Sequence, residues 1–278
     1  MEKKKYTRPE LLTTPEELQA KLGNPNLRLI DTRQAEIYAQ GHIPGATHFD
    51  LFGISLVDTS AAPLSAFMSM IAHLFELRGV NLDAEVVFYE ENSGMKAARG
   101  LWFLEYFGHQ KVSVLDGGLQ AWKKAGYPVT TDTTPPKGTQ FKVSEKRETL
   151  ATADDVLKSI GNDRVKIVDT RSEDEYMGRL VRAARGGAVP GAVHLEWTHN
   201  IATDGGFKPE AELRAMYEKL GVTPDKEAVA YCQGGYRAAH TYLALRLLGY
   251  PKVRNYIGSW KEWGDRQNLP IEKPWEKK

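Results

Sequence analysis

Short runs of β-branched and apolar residues recur along the chain at 27–31, 86–89 and 112–115, and again at 165–168, 228–231 and 253–257. Each is bounded by polar or glycine-containing segments, which is the pattern of strands buried on both faces. Between them lie segments with helical spacing, clearest at 95–107 and 237–248. Strands that alternate with helices predict an α/β fold, a parallel sheet with helices on both faces. Ligands of such sheets bind beyond the carboxyl ends of the strands.

The pattern is written twice. "LRLIDTRQAEIYAQGHIPGATHFD" at 27–50 returns as "VKIVDTRSEDEYMGRLVRAARGGAVPGAVHLEW" at 165–197, the second copy carrying about eight extra residues that include Arg179, Arg182 and Arg185. Further on, "EVVFYEENSGMKAARGLWFLEYFGHQKVSVLDGGLQAW" (85–122) matches "EAVAYCQGGYRAAHTYLALRLLGYPKVRNYIGSWKEW" (227–263). A repeat of about 140 residues is far longer than a solenoid unit and reads as a duplicated domain. The halves are expected at 1–133 and 148–278, joined by a linker at 134–147, where Thr, Pro, Gly and charged residues replace any apolar period.

The 278 residues suit two such domains. With 37 basic and 36 acidic side chains the chain has no global field, so neither nucleic acid nor an anionic membrane is expected as a partner. No run of 18 apolar residues occurs, and "MEKKKYTRPELL" lacks the apolar stretch of a signal peptide. The expectation is a cytoplasmic protein, or a periplasmic one if a leader has been removed. Seven scattered histidines and one cysteine provide no metal-ligand spacing, and no metal or cofactor is expected.

That single cysteine sits in "AYCQGGYRAAH" (230–240), immediately after a strand and four residues before Arg237. A lone cysteine after a strand is usually a small buried hydrophobe. Here the repeat sets it opposite Glu90, and a position that accepts glutamate is not expected in deep core. A thiolate is favoured at a helix N-terminus or beside a cation. Both conditions are expected here: the helix beginning near Arg237 aims its free amides back at the loop. Gly234 and Gly235 can take positive φ and let N–H groups converge as an anion nest. Arg237 adds a fixed charge with a planar donor fork. One half is then catalytic and the other, with Glu90 in place of a nucleophile, structural.

With this loop, the two Gly-x-x-Pro-Gly-Ala-x-His turns and the tandem halves, the chain resembles the two-domain rhodaneses, which are thiosulfate sulfurtransferases, and "GGAVPGAVHLEW" and "YIGSWKEWG" resemble the bacterial members. The resemblance implies two tandem rhodanese-like domains and a Cys232 persulfide that receives sulfur from a donor and passes it to a nucleophilic acceptor. It implies that the loop Gln233, Gly234, Gly235, Tyr236 and Arg237 cradles the outer sulfur, with Arg237 balancing its charge. The partners it implies are a small-molecule donor and acceptor, with a protein thiol as a further acceptor, served by a monomer. The loop matches neither the Cys-Arg-Lys-Gly-Val-Thr of animal-type thiosulfate enzymes nor the Cys-Gly-Ser-Gly-Val-Thr of mercaptopyruvate enzymes. Where several relatives carry an arginine for the donor's anionic end, this chain has Glu175. Arg179 is assigned that role, with Arg182 and Arg185 as the other candidates of the inserted segment and at least two of the three expected to be solvated surface.

Asp31 with Arg33 and Asp169 with Arg171 occur in both halves, which favours structural ion pairs; His48 and His194 read as turn or packing residues, and Trp122 and Trp263 as core. His240 receives no role. Two other functions compete. Phosphatases of related fold need five residues between cysteine and arginine, whereas four stand here. A sulfur relay to another protein's thiol would use the same intermediate. Thiosulfate is favoured over mercaptopyruvate as donor, because the loop is cationic and offers no serine for proton transfer, unless the Tyr236 hydroxyl points inward.

Overall fold

The computed structural model describes residues 4–133 and 135–276. The first half runs β1 (Leu12–Thr13), α1 (Pro15–Lys21), β2 (Leu27–Asp31), α2 (Ala35–Gln40), β3 (Thr47–His48), α3 (Ala61–Glu76), β4 (Glu85–Tyr89), α4 (Met95–Tyr106), β5 (Val112–Leu115) and α5 (Gly118–Lys124). The second repeats it with β6 (Leu150–Ala151), α6 (Ala153–Ser159), β7 (Val165–Asp169), α7 (Glu173–Tyr176), β8 (Val193–His194), α8 (Glu210–Lys219), β9 (Glu227–Tyr231), α9 (Tyr236–Leu247), β10 (Val253–Tyr256) and α10 (Ser259–Asp265). The six strands expected from apolar runs are all present. The four two-residue strands are new, because two residues are too few to display a period.

Each half builds a five-stranded sheet, β1-β5-β4-β2-β3 and β6-β10-β9-β7-β8. All pairings are parallel, with Asp31 beside Tyr89 in the first sheet and Asp169 beside Tyr231 in the second. The fold is therefore α/β, two tandem domains with a parallel sheet and helices in each. β4 and β9 are the central strands, and the segments that follow them, beginning at Glu90 and Cys232, emerge at the carboxyl ends of the sheets.

The compact units are not two unbroken stretches of chain. One holds the residues up to Gly53 with Phe67–Lys146 and Ile201–Pro209; the other holds Ile54–Ala66, Arg147–Asn200 and the chain from Glu210. Within the first, Asp116 accepts from the Phe207 amide at 2.9 Å, and the Gly205 carbonyl accepts from the Ser93 amide at 2.8 Å. Within the second, the buried Glu262 carboxylate accepts from the Thr59 amide (2.9 Å), the Thr59 hydroxyl (2.8 Å) and the Tyr256 hydroxyl (2.8 Å). The segment expected as a linker is also tied down. Thr139 and Phe141 donate their amides to Glu76, Ser144 donates to the Phe107 carbonyl, and the buried Phe141 ring meets Phe107 edge-on.

Both cores are organised around an indole. Trp122 packs with Leu18, Leu29, Tyr89 and Leu115, and donates to the Pro128 carbonyl; Trp263 packs with Val156, Ile167, Val229 and Tyr256, and donates to the Pro270 carbonyl. Both aspartate–arginine motifs form buried ion pairs, at 2.6 Å for Arg33–Asp31 and 2.5 Å for Arg171–Asp169. Each guanidinium also donates to a carbonyl, Gly41 or Gly187, at 2.7 Å. His48 and His194 meet the carbonyls of Arg33 and Arg171 at 2.8 Å, a local turn contact repeated in both units. No helix of the described residues is long and apolar enough to cross a membrane.

Removing one partner of such a pair strands the other charge away from water, which costs about 3–5 kcal/mol. Asp169→Ala is expected to lower the stability of the second unit by that amount in urea denaturation. A loss below about 1 kcal/mol, the range of an exposed pair, would show that the Arg171 charge is not buried as described.

Candidate active site

β9 ends at Tyr231, and the chain turns through Cys232–Gly235 into α9. The turn depends on Gly235, whose φ of +82° is left-handed and whose hypothetical Cβ would lie 2.9 Å from the Ile257 carbonyl oxygen. Gly234 is different: its φ is not left-handed, and a Cβ there would make ordinary contacts. The Asn255 side chain, on β10, donates to the Gly235 carbonyl at 3.1 Å. Trp260 and Lys261, in the first turn of α10, donate their amides to the carbonyls of Cys232 (2.9 Å) and Gln233 (3.0 Å). The loop is thus held from both sides by backbone.

Cys232 is 1% exposed and packs against Ala230 and Ala238. The expectation that a position matched by glutamate lies outside the core is overturned, because backbone amides replace water around it. Burial alone pushes the thiol up, but the Arg237 charge and the amides of Ala238, Gly234 and Gly235 outweigh it and hold the thiol below its ordinary value. The surroundings thereby ease ionisation of a buried thiol. Of the other loop residues, Gln233 turns its side-chain amide to the Arg182 carbonyl at 2.8 Å, and the Tyr236 hydroxyl donates to the Ile54 carbonyl at 3.1 Å.

Arg237 is 14% exposed at its side chain, and its fork faces a carboxylate. Nη1 donates to Glu175 Oε2 at 2.5 Å and Nη2 to Oε1 at 2.9 Å. Glu175 is the third residue of α7 and closes a capping box with Ser172. Burial pushes its carboxyl up, yet the Arg237 guanidinium and the Ser172 amide and hydroxyl bring it down to about 2. Sulfur, guanidinium and carboxylate therefore form an alternating row of charges.

The three arginines of the inserted segment separate in space. Arg179 is exposed and paired with Asp174 (2.5 Å) and Glu173 (3.2 Å). Arg185 donates to the carbonyls of Trp263, Gly264, Arg266 and Leu269, fastening the insert to the end of the chain. Arg182 is the one brought to the loop, through its carbonyl and through a guanidinium 3.6 Å from Glu175 Oε1. His240 is fully buried, edge-on to Trp197.

Ser259 went unnoticed in the sequence. Its hydroxyl accepts from the Cys232 amide at 3.1 Å and donates to the Tyr256 carbonyl at 2.7 Å, while its backbone sits at φ +52°, the only positive value among the described non-glycine residues. The repeat held the signal: Ser259 stands opposite Gly118, which has φ +58°. A serine tolerates a glycine's conformation there because its hydroxyl secures the cysteine.

The first unit contains the same loop, filled differently. The Glu90 carboxylate accepts from the Lys96 amide (2.7 Å) and the Ala97 amide (3.0 Å) at the start of α4, and Leu119 and Gln120 donate to the carbonyls of Glu90 and Glu91. Ala97 is the repeat counterpart of Ala238, whose amide serves the sulfur, and Lys96 is the counterpart of Arg237. Burial pushes the Glu90 carboxyl up to about 7, against the two amides, which lower it.

Ser259→Ala keeps the strained backbone and loses the hydrogen bond, so a loss of about 1–3 kcal/mol is expected. Ser259→Gly relieves the strain and should be the more stable of the two in thermal unfolding; the reverse order would contradict this reading. For Glu90, the folded protein retains a proton that the unfolded chain releases above its ordinary value of 4.5, so this contribution is full below that value and lost as pH rises through about 7. Glu90→Gln, always neutral, should gain thermal stability relative to the parent between pH 5 and pH 8. A difference that stays constant across that range would mean the carboxyl is not raised.

A sequence profile of the rhodanese-like domain matches residues 14–125 and 152–266. Thiosulfate sulfurtransferase of Azotobacter vinelandii is 38% identical over 262 residues, 94% of this chain and 97% of that protein. Sulfur carrier protein TtuD of Thermus thermophilus is 37% identical over 284 residues, 96% of this chain and 98% of that one. Among solved structures, the anaerobic ergothioneine biosynthesis enzyme from Chlorobium limicola matches with a TM-score of 0.84 at 23% identity, over 96% of this chain and 71% of that chain, a likeness of fold alone. With both α/β units matched by the profile and nearly the whole chain matched by these relatives, the chain belongs to the rhodanese-like family.

Proposed function

We propose that the protein is a sulfurtransferase that moves sulfane sulfur from thiosulfate to a nucleophilic acceptor through a persulfide on Cys232. The observation that carries this reading is the only cysteine of the chain, whose thiol is held below its ordinary value by Arg237 and by the amides of Ala238, Gly234 and Gly235. In the first step the thiolate attacks the outer sulfur of thiosulfate: a Cys–S bond forms, the sulfur–sulfur bond breaks, and sulfite leaves with its electron pair. The total charge is unchanged, and the negative charge passes from Sγ to the outer persulfide sulfur, close to the same amides. In the second step a nucleophile such as cyanide or a thiolate takes that sulfur and the cysteine thiolate returns.

The names of curated relatives support thiosulfate as donor. So does the loop itself: it has no serine between Cys232 and Arg237, and the Tyr236 hydroxyl is directed to the Ile54 carbonyl, whereas sulfur transfer from mercaptopyruvate releases an enolate that must be protonated. Four residues between Cys232 and Arg237, one fewer than a phosphatase loop uses, argue against phosphate monoesters. A relay to another protein's thiol is the second reading, favoured by the name of the Thermus relative. A thiol that must cycle without being trapped as a disulfide suits a reducing compartment, here the cytoplasm, and a monomer is sufficient for this chemistry.

Intact-mass spectrometry is expected to show the protein heavier by one sulfur atom after thiosulfate and restored by cyanide. If Cys232→Ser acquires the same labile sulfur, the assignment is wrong. With cyanide as common acceptor, kcat/KM should be higher for thiosulfate than for mercaptopyruvate; the opposite preference would overturn the donor and leave the persulfide in place. A partner protein that co-purifies only when Cys232 is present would favour the relay.

A further inference from the structure

We propose that Glu175 is a positioning residue for sulfur transfer, which locks the Arg237 guanidinium against the Cys232 sulfur. The proposal rests on the sulfur-transfer reading above and extends it to a residue that never meets the donor's reacting atoms.

An arginine in the first turn of a helix has several rotamers open to it, most of them leading to solvent. Arg237 takes one that leads to Glu175, where both terminal nitrogens are held in a two-pronged pair at 2.5 and 2.9 Å. The carboxylate is itself immobilised: it is 3% exposed, and Oε2 accepts from the Ser172 amide and hydroxyl, both at 3.1 Å. Charged groups face it from three sides: Arg237 from α9, Arg182 from the insert and Arg171 from the end of β7. Its neighbours Glu173 and Asp174 turn to Arg179 instead. At the sulfur, Arg237 is the charged group that favours the thiolate.

The repeat supplies an internal control. Glu175 stands opposite Ile37, and Arg237 opposite Lys96, whose ammonium pairs with Asp50 at 3.1 Å, in the half where Glu90 replaces the cysteine. That half builds the same strand order without the two-pronged pair. The fold therefore does not require a carboxylate at the Glu175 position; the carboxylate and the guanidinium that it holds occur together where the thiol occurs.

The test is the pH dependence of iodoacetamide alkylation of the full chain, which reads Cys232 alone because no other cysteine is present. In Glu175→Ala the guanidinium is released, and the alkylation midpoint should rise by about one pH unit, with sulfur loading at pH 7 slowed about tenfold. Glu175→Gln, which retains one acceptor oxygen, should fall between the two. Ser172→Ala breaks the capping box and removes one hydrogen bond from the carboxylate but leaves the two-pronged pair, so it should lower the thermal midpoint and raise the alkylation midpoint by much less than Glu175→Ala. In an Arg237→Ala background, removing Glu175 should no longer raise the midpoint. The proposal is overturned if Glu175→Ala leaves the midpoint unchanged or lowers it, if it raises it equally without Arg237, or if Ser172→Ala raises it as much. Because alkylation needs no sulfur donor, a parent protein that fails to load sulfur would refute the transferase reading while this measurement still decides the role of Glu175.

Discussion

The burial of a sulfur that must still be able to ionise is the constraint around which the second unit is arranged. Placing an ion out of contact with water is costly unless fixed dipoles and an opposite charge replace the lost hydration. At Cys232 the dipoles are the amides of Gly234, Gly235 and Ala238, and the opposite charge is Arg237. Directing those amides at one point requires a left-handed residue before α9, which Gly235 supplies. It also requires that the loop not relax, and for this the side chains of Ser259 and Asn255 and the first amides of α10 hold it from behind. Arg237 is in turn a buried charge, and Glu175 answers it. Each element of the site thus follows from the one before it.

The duplicated half shows which of these features belong to the frame and which to the chemistry. Both units keep the parallel sheet, the buried aspartate–arginine pair, the histidine on a backbone carbonyl and the indole on a proline carbonyl. Both also keep the helix amides facing the end of the central strand. In the first unit those amides are occupied by the chain's own Glu90 carboxylate, which has no arginine beside it and is pushed toward neutrality. An oxygen anion and a sulfur anion meet the same dipoles, but only the sulfur is a nucleophile able to carry a further sulfur. What separates the two units chemically is the set Cys232, Arg237, Glu175 and Ser259 against Glu90, Lys96, Ile37 and Gly118.

The central strands, the long helices on either side of them and the tryptophan cores were legible in the sequence, because runs of four or five buried apolar residues and helical spacing report directly which side chains leave water. The loop around the single thiol was legible as well, since a strand end followed by two glycines and a helical run states its own local geometry. The two-residue edge strands and the exchange of segments 54–66 and 201–209 between units were not, because they are made by backbone pairing and long-range packing that leave no local period. The burial of Cys232 was misjudged for a related reason: sequence cannot show that amides from a neighbouring helix stand in for water around a charge.

The three arginines of the insert make the division clearest. Along the chain Arg179, Arg182 and Arg185 are equivalent cations spaced by three. Only the folded chain sends Arg179 to the surface carboxylates of Glu173 and Asp174, Arg185 onto four carbonyls, and Arg182 to the catalytic loop. The same holds for Glu175, which in sequence is an acidic residue where an arginine was expected and in space is the counter-charge of Arg237. Sequence by itself determined the element order, the duplication and the place of the single thiol, which depend on neighbours a few residues away. The partner of each charge was decided by tertiary structure, because pairing energy depends on distance in space and on the exclusion of water, and neither exists until the sheet and its helices have closed around the loop.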